Sequence, residues 1–152
     1  MKKSKKAKSW IIVVMIFILT STSTILATPT TVNASSEITI LHNGRPVTFD
    51  QPPIMRNNRV MVPFRGLFEL LGAEIEWNPH TQQIFGSTDT NSITLTIGTH
   101  IAIVNGVEHF MDAQPFIVPE TGRTLVPIRF VGETLGARVT WDPVARRVCI
   151  NS

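Results

Sequence analysis

Two stretches of this chain carry the same residues in the same order. Asn43, Gly44, Asp50 and Pro53 recur as Asn105, Gly106, Asp112 and Pro115. After a two-residue insertion around Thr121-Gly122, Arg59, Val62, Pro63, Arg65, Glu69, Leu71, Gly72, Ala73, Trp77 and Pro79 recur as Arg123, Val126, Pro127, Arg129, Glu133, Leu135, Gly136, Ala137, Trp141 and Pro143. A register this long and ordered marks an internal duplication, with copies spanning about 38–87 and 93–150. Whatever one copy folds into, the other must be able to form as well.

Each copy reads as one succession of elements. A strand (Ile38 to Leu41, or Ile101 to Val104) runs into Asn-Gly, the pair that tolerates positive φ at both centres of a tight hairpin. A return strand follows, until Pro52-Pro53 or Pro115 removes a ladder donor. A short strand and a second turn, Asn57-Asn58 or Thr121-Gly122, lead to a helix with Pro63 or Pro127 suited to its first position. Phe64, Leu67, Phe68 and Leu71 make a one-sided apolar stripe, which Ile128, Val131 and Leu135 repeat with Gly132 in place of Phe68. Gly72 and Gly136 stand where a left-handed cap ends such a helix. A helix of roughly nine residues does not persist alone in water, so a sheet must hold it.

That sheet resumes at Glu74-Ile75-Glu76-Trp77 and Arg138-Val139-Thr140-Trp141, where period two points Ile75, Trp77, Val139 and Trp141 inward. Asn78-Pro79 and Asp142-Pro143 open type I turns into closing strands. Ile93, Leu95 and Ile97 alternate as a linking strand between the copies. The expected fold class is α+β: two tandem units of hairpin, short helix and hairpin, with mostly antiparallel strands joined into one sheet system and packed on two helices.

Ahead of the repeats, Lys2, Lys3, Lys5, Lys6 and Lys8 precede the apolar run Trp10 to Leu19 and the hydroxyl tract Thr20 to Thr24. This order is that of a secretory signal peptide, residues 1–34, with cleavage after Ala34 and a weaker second choice after Ala27. The rival is a retained membrane helix. Ten residues give only roughly 15 Å against a ~30 Å hydrocarbon core, and extension to Ala27 would bury five consecutive hydroxyl residues. Export places residues 35–152 outside the cytoplasm, secreted or on the cell surface, with membrane contact only if the segment is kept.

Removing the leader removes every lysine. Nine arginines then face eleven carboxylates, a net charge of −2, so the basic footprint of a nucleic-acid binder is absent. Cys149 is the sole cysteine and can form no internal disulfide; it reads as a small buried hydrophobe. No phosphate-loop glycine pattern and no H-E-x-x-H helix occurs.

The motif Val-Pro-x-Arg-x-x-x-Glu-x-Leu-Gly-Ala followed by Trp-Asn/Asp-Pro, present twice, resembles the copper amine oxidase N-terminal-like (stalk) domain common in exported proteins of Gram-positive bacteria. The resemblance covers about Ile38 to Ile150, departing from it at Phe64, where the family usually has an aliphatic residue, and at the polar end His80-Thr81-Gln82-Gln83. It implies an appendage, not the oxidase's catalytic domain with its tyrosine-derived quinone and three-histidine copper site. This sequence has no tyrosine, and His42, His80, His100 and His109 include no His-x-His pair. No catalytic, cofactor-binding or metal residue is therefore expected.

The polar pairs Arg65/Glu69 and Arg129/Glu133 share a helix face at i, i+4, in the less favourable order and with the cation in the first turn. Their recurrence points to a tertiary partner, strand-end carbonyls or Asp50 and Asp112, and to a structural role in which Arg129→Ala lowers the melting temperature. An anion or sugar site on the arginines is the alternative. Trp77 and Trp141 read as core residues, with sugar stacking as the alternative; Glu74 and Glu76 read as a solvated face, and Asp50 and Asp112 as turn-bonding. The expected function is a non-catalytic surface or cell-wall module that binds or spaces. Its partners would be a wall polymer, another exported protein, or a second copy paired at exposed strand edges. A small-ligand or glycan receptor with a groove between the copies is the alternative, and a hydrolase the remote one.

Overall fold

Asn43-Gly44 and Asn105-Gly106 adopt positive φ at both positions (49° and 79°; 50° and 82°), so each closes the tight hairpin its chemistry favours. The computed structural model describes residues 37–152; the leader at 1–34 and its cleavage point lie outside the described residues. The hairpins are β1 (Thr39–His42) with β2 (Arg45–Val47), and β8 (Ile101–Val104) with β9 (Val107–Phe110). Next in each copy come β3 (Ile54–Arg56), β4 (Arg59–Pro63) and α1 (Phe64–Leu70), or β10 (Phe116–Ile117), β11 (Thr124–Pro127) and α2 (Ile128–Thr134). The closing hairpins are β5 (Glu74–Asn78) with β6 (Gln83–Ser87), and β12 (Arg138–Asp142) with β13 (Arg147–Asn151); β7 (Ser92–Thr96) links the two halves.

The class is α+β, but the strands form three sheets instead of one system: β12-β13-β1-β2, β10-β11-β4-β3 and β5-β6-β7-β8-β9. The chain itself explains the division. Prolines interrupt it between β2 and β3 and between β9 and β10, while β4 and β11 run straight into helices, which cuts the middle hairpins off from their neighbours on both sides. Each sheet mixes strands of the two copies. In the first, β1 pairs with β13 in parallel, Ile40 opposite Val148, so the two ends of the repeat region lie side by side. In the second, Val62 pairs with Val126, its counterpart in the repeat, flanked by Met61 with Pro127 and Pro63 with Leu125.

Each helix has seven residues. Pro63 and Pro127 stand one position earlier than expected, as the last strand residue and cap, with ψ of 125° and 112°. Both helices end in the same bonded turn. Gly72 N–H donates to Glu69 O and Ala73 N–H to Phe68 O (3.1 and 2.9 Å), and Gly136 and Ala137 do the same with Glu133 and Gly132. Only a residue free to take positive φ, here 68° and 96°, allows this closure without strain. The Asn78 and Asp142 side chains cap the last hairpin turns, each accepting from two backbone N–H groups at 2.9–3.2 Å.

The main core gathers Ile40, Val62, Leu67, Phe68, Ile84, Ile93, Leu95, Val126, Ile128, Val131, Val148 and Ile150. Each such side chain contributes about 1.5–3 kcal/mol on burial. Side-chain volumes are distributed differently in the two copies. Phe68 fills the space above Gly86, whereas the corresponding positions are Gly132 and the fully buried Ile150. A smaller cluster of Met61, Ala113, Val118 and Leu125 lies apart. Period two gives the right phase in β5 and β12, yet Trp77 and Trp141 are only half-buried, packed against the core from its margin. Cys149 is likewise half-buried and free.

Candidate functional site

The tryptophans stop at the margin because each borders an open cleft. The larger cleft, about 450 Å³, lies beside α2. Its deepest lining is aliphatic: Val60, Ile128, Val139 and Val148, all under a tenth exposed. Met55, Phe130 and Trp141 form half-buried walls, and Phe110, 70% exposed, stands at the mouth against the imidazole of His100 (ring centroids 5.3 Å apart, 13° between planes). The charged residues of the lining are Arg59, Asp112, Arg129 and Glu133, two cations and two anions.

The two pairs differ. Arg59, at the start of β4, donates from Nε to Asp112 Oδ2 at 3.0 Å, with a second short bond from its terminal nitrogen, and to the carbonyl of Asn58 at 3.1 Å. The partners are 53 residues apart and belong to different copies. The reciprocal pair is present: Arg123 meets Asp50 at 2.8 Å. Arg129 Nε, in contrast, lies 4.0 Å from Glu133 Oε1, beyond hydrogen-bond reach, with both side chains about half exposed.

A second cleft of about 180 Å³ is lined by Asp50, Phe64, Arg65, Trp77, Ile117 and Arg123 among others. All six correspond through the repeat to residues of the larger one, namely Asp112, Ile128, Arg129, Trp141, Met55 and Arg59. The smaller volume has a visible cause. Phe64 stands where the other copy has Ile128, and its ring lies 6.3 Å from that of Trp77. The Arg65 guanidinium then lies over Phe64, 5.4 Å from the ring centre.

Of the residues singled out in the sequence, Arg129, Glu133 and Trp141 thus meet at the larger cleft, and Arg65 and Trp77 at the smaller. Glu69 is exposed and lines neither. Two expectations are corrected. Asp50 and Asp112 do not serve Arg65 and Arg129, nor do they bond their own turns; Arg123 and Arg59 engage them. The tryptophans are not fully enclosed. Sequence reasoning also missed Met55, Phe110 and Phe130: the counterparts of the two phenylalanines, Thr48 and Gly66, differ in kind, and Met55 recurs only as another apolar residue, Ile117, which lines the smaller cleft. Among the described residues no three or more His, Cys, Asp or Glu side chains are grouped to hold a metal.

Together the three mixed sheets and the paired clefts define an α+β domain whose Arg–Asp pairs bridge the two sequence copies. More specifically, residues 41–150 match the family model of the copper amine oxidase N-terminal domain, and the chain belongs to that family. The N-terminal domains of that family are non-catalytic by themselves. No curated protein matches the chain significantly.

Proposed function

We propose that this chain is an exported, non-catalytic module that binds or spaces at the cell surface, with a wall polymer or another exported protein as partner. The observation carrying this reading is the larger cleft, an apolar hollow ringed by paired charges and built from both copies. The two copies are joined to each other: Val62 pairs in antiparallel register with its counterpart Val126, and the reciprocal pairs Arg59–Asp112 and Arg123–Asp50 each link one copy to the other. The two short helices pack on the sheets, α1 on β4, β5 and β11, α2 on β4, β7, β11 and β12. The basic, apolar and hydroxyl-rich order of residues 1–34 supports export.

The cleft also favours a second reading within the same class, a receptor for one small ligand. Both are tested by incubating the exported protein with purified cell wall and, separately, with the other exported proteins. Retention by either, weakened by I128F in the cleft, is expected. Turnover of a glycosidic, ester or peptide substrate would overturn the non-catalytic reading, and indifference to both fractions would overturn the surface role.

A further inference from the structure

Resting on the binding role just proposed, we infer that the larger cleft receives the free carboxylate end of a short peptide whose last side chain is apolar. The volume, about 450 Å³, falls within the range of small-ligand sites, whereas the smaller cleft at about 180 Å³ lies below it. The floor decides the chemistry of what enters. Val60, Ile128, Val139 and Val148 offer no hydrogen-bonding side chain, so a group placed against them must be apolar; a sugar there would leave hydroxyls without partners.

The rim supplies the rest. Arg59 is occupied by Asp112 and the Asn58 carbonyl. Among the described residues the half-exposed Arg129 guanidinium has only the Glu133 carboxylate near it, at 4.0 Å, which leaves its planar donor fork open to a second carboxylate. Glu133 offers an acceptor beside it for a peptide N–H. With two cations and two anions the lining is neutral, which suits a ligand that presents one carboxylate and amide groups and disfavours a polyanion. The smaller cleft is an internal control: the Phe64 ring occupies the position of Ile128, and Arg65 is drawn over that ring.

The test uses the exported protein and acetylated tripeptides ending in valine or leucine, the same peptides with amidated ends, and a uronate oligosaccharide, followed by calorimetry and Trp141 emission. Binding of the acid peptides with a change in emission is expected, at least about tenfold tighter than the amides for loss of a charge-assisted pair. R129Q should erase the acid–amide difference while R65Q leaves it intact, and I128F, which installs the ring of the smaller cleft, should abolish binding. Should I128F fail to fold, R129Q alone decides, since Arg129 is exposed. Equal affinity for acid and amide, preference for the uronate, or an R129Q protein that still discriminates would overturn the inference. Retention by wall or exported proteins with silent peptide titrations would overturn it while leaving the surface role standing; silence in both would remove both.

Discussion

Gly86→Ala should destabilise the domain by about 2 kcal/mol, through a single contact. A Cβ at position 86 would lie 1.8 Å from Phe68 Cε1, 2.5 Å from Cδ1 and 2.9 Å from Cζ. Ordinary contact needs about 3.5–4.0 Å, so the ring must retreat by roughly 2 Å. It has little room to do so, since Phe68 is fully buried and its ring meets Phe64 edge-on, 6.4 Å between centres. Overpacking of this kind costs about 1–3 kcal/mol, and the size of the displacement places it toward the upper end. The entropic gain of alanine over glycine in a strand returns about 0.5–1 kcal/mol. A loss of roughly 2 kcal/mol lowers the melting temperature by about 8 °C in a domain of this size. The assay is reversible urea and thermal unfolding of the wild type, G86A, Phe68→Leu and the double variant. Because the clash is with the ring, the double variant should be more stable than the sum of the single losses by about 1 kcal/mol or more. A G86A protein within ~0.5 kcal/mol of wild type, or strict additivity, would refute the reasoning.

Three smaller perturbations probe other parts of the fold. Arg59→Ala and Arg123→Ala each break one exposed cross-copy pair and should cost only about 0.2–1 kcal/mol, shrinking with salt, as denaturant titrations at low and high ionic strength will show. Gly136→Ala, at φ 96°, should cost about 1–2 kcal/mol by forcing a side chain into left-handed backbone, read as a lower urea midpoint at unchanged slope. Arg129→Ala should stay within ±0.5 kcal/mol of wild type, against the sequence-based expectation of a lowered melting temperature, because the half-exposed guanidinium makes no hydrogen bond among the described residues; a drop of several degrees in calorimetry would restore the structural role.

The alternation in β5 and β12 was legible from period two, and so was the side each tryptophan faces, but not its depth. Depth depends on what stands opposite. Trp141 borders the larger cleft, whose other walls are Met55 of the first copy and Phe130 of α2; Trp77 meets the ring of Phe64. The gathering of Arg129, Glu133 and Trp141 was half legible, since all three recur in the repeat. Of the residues that complete the cleft, Phe110 and Phe130 have counterparts of a different kind, Thr48 and Gly66, and Met55 recurs only as the apolar Ile117.

What the sequence determined by itself was local. The turns at Asn43-Gly44 and Asn105-Gly106 and the caps at Gly72 and Gly136 depend on backbone preferences within a few residues, and these hold whatever the rest of the chain does. The division into three sheets, the parallel contact of β1 with β13 and the partners of Arg59 and Arg123 were decided only by tertiary structure. A duplicated chain carries the same arginine and the same aspartate twice, so pairing within a copy and pairing between copies look identical in sequence. The choice fell to the mutual packing of β4 and β11, which sets Arg59 beside Asp112 and Arg123 beside Asp50.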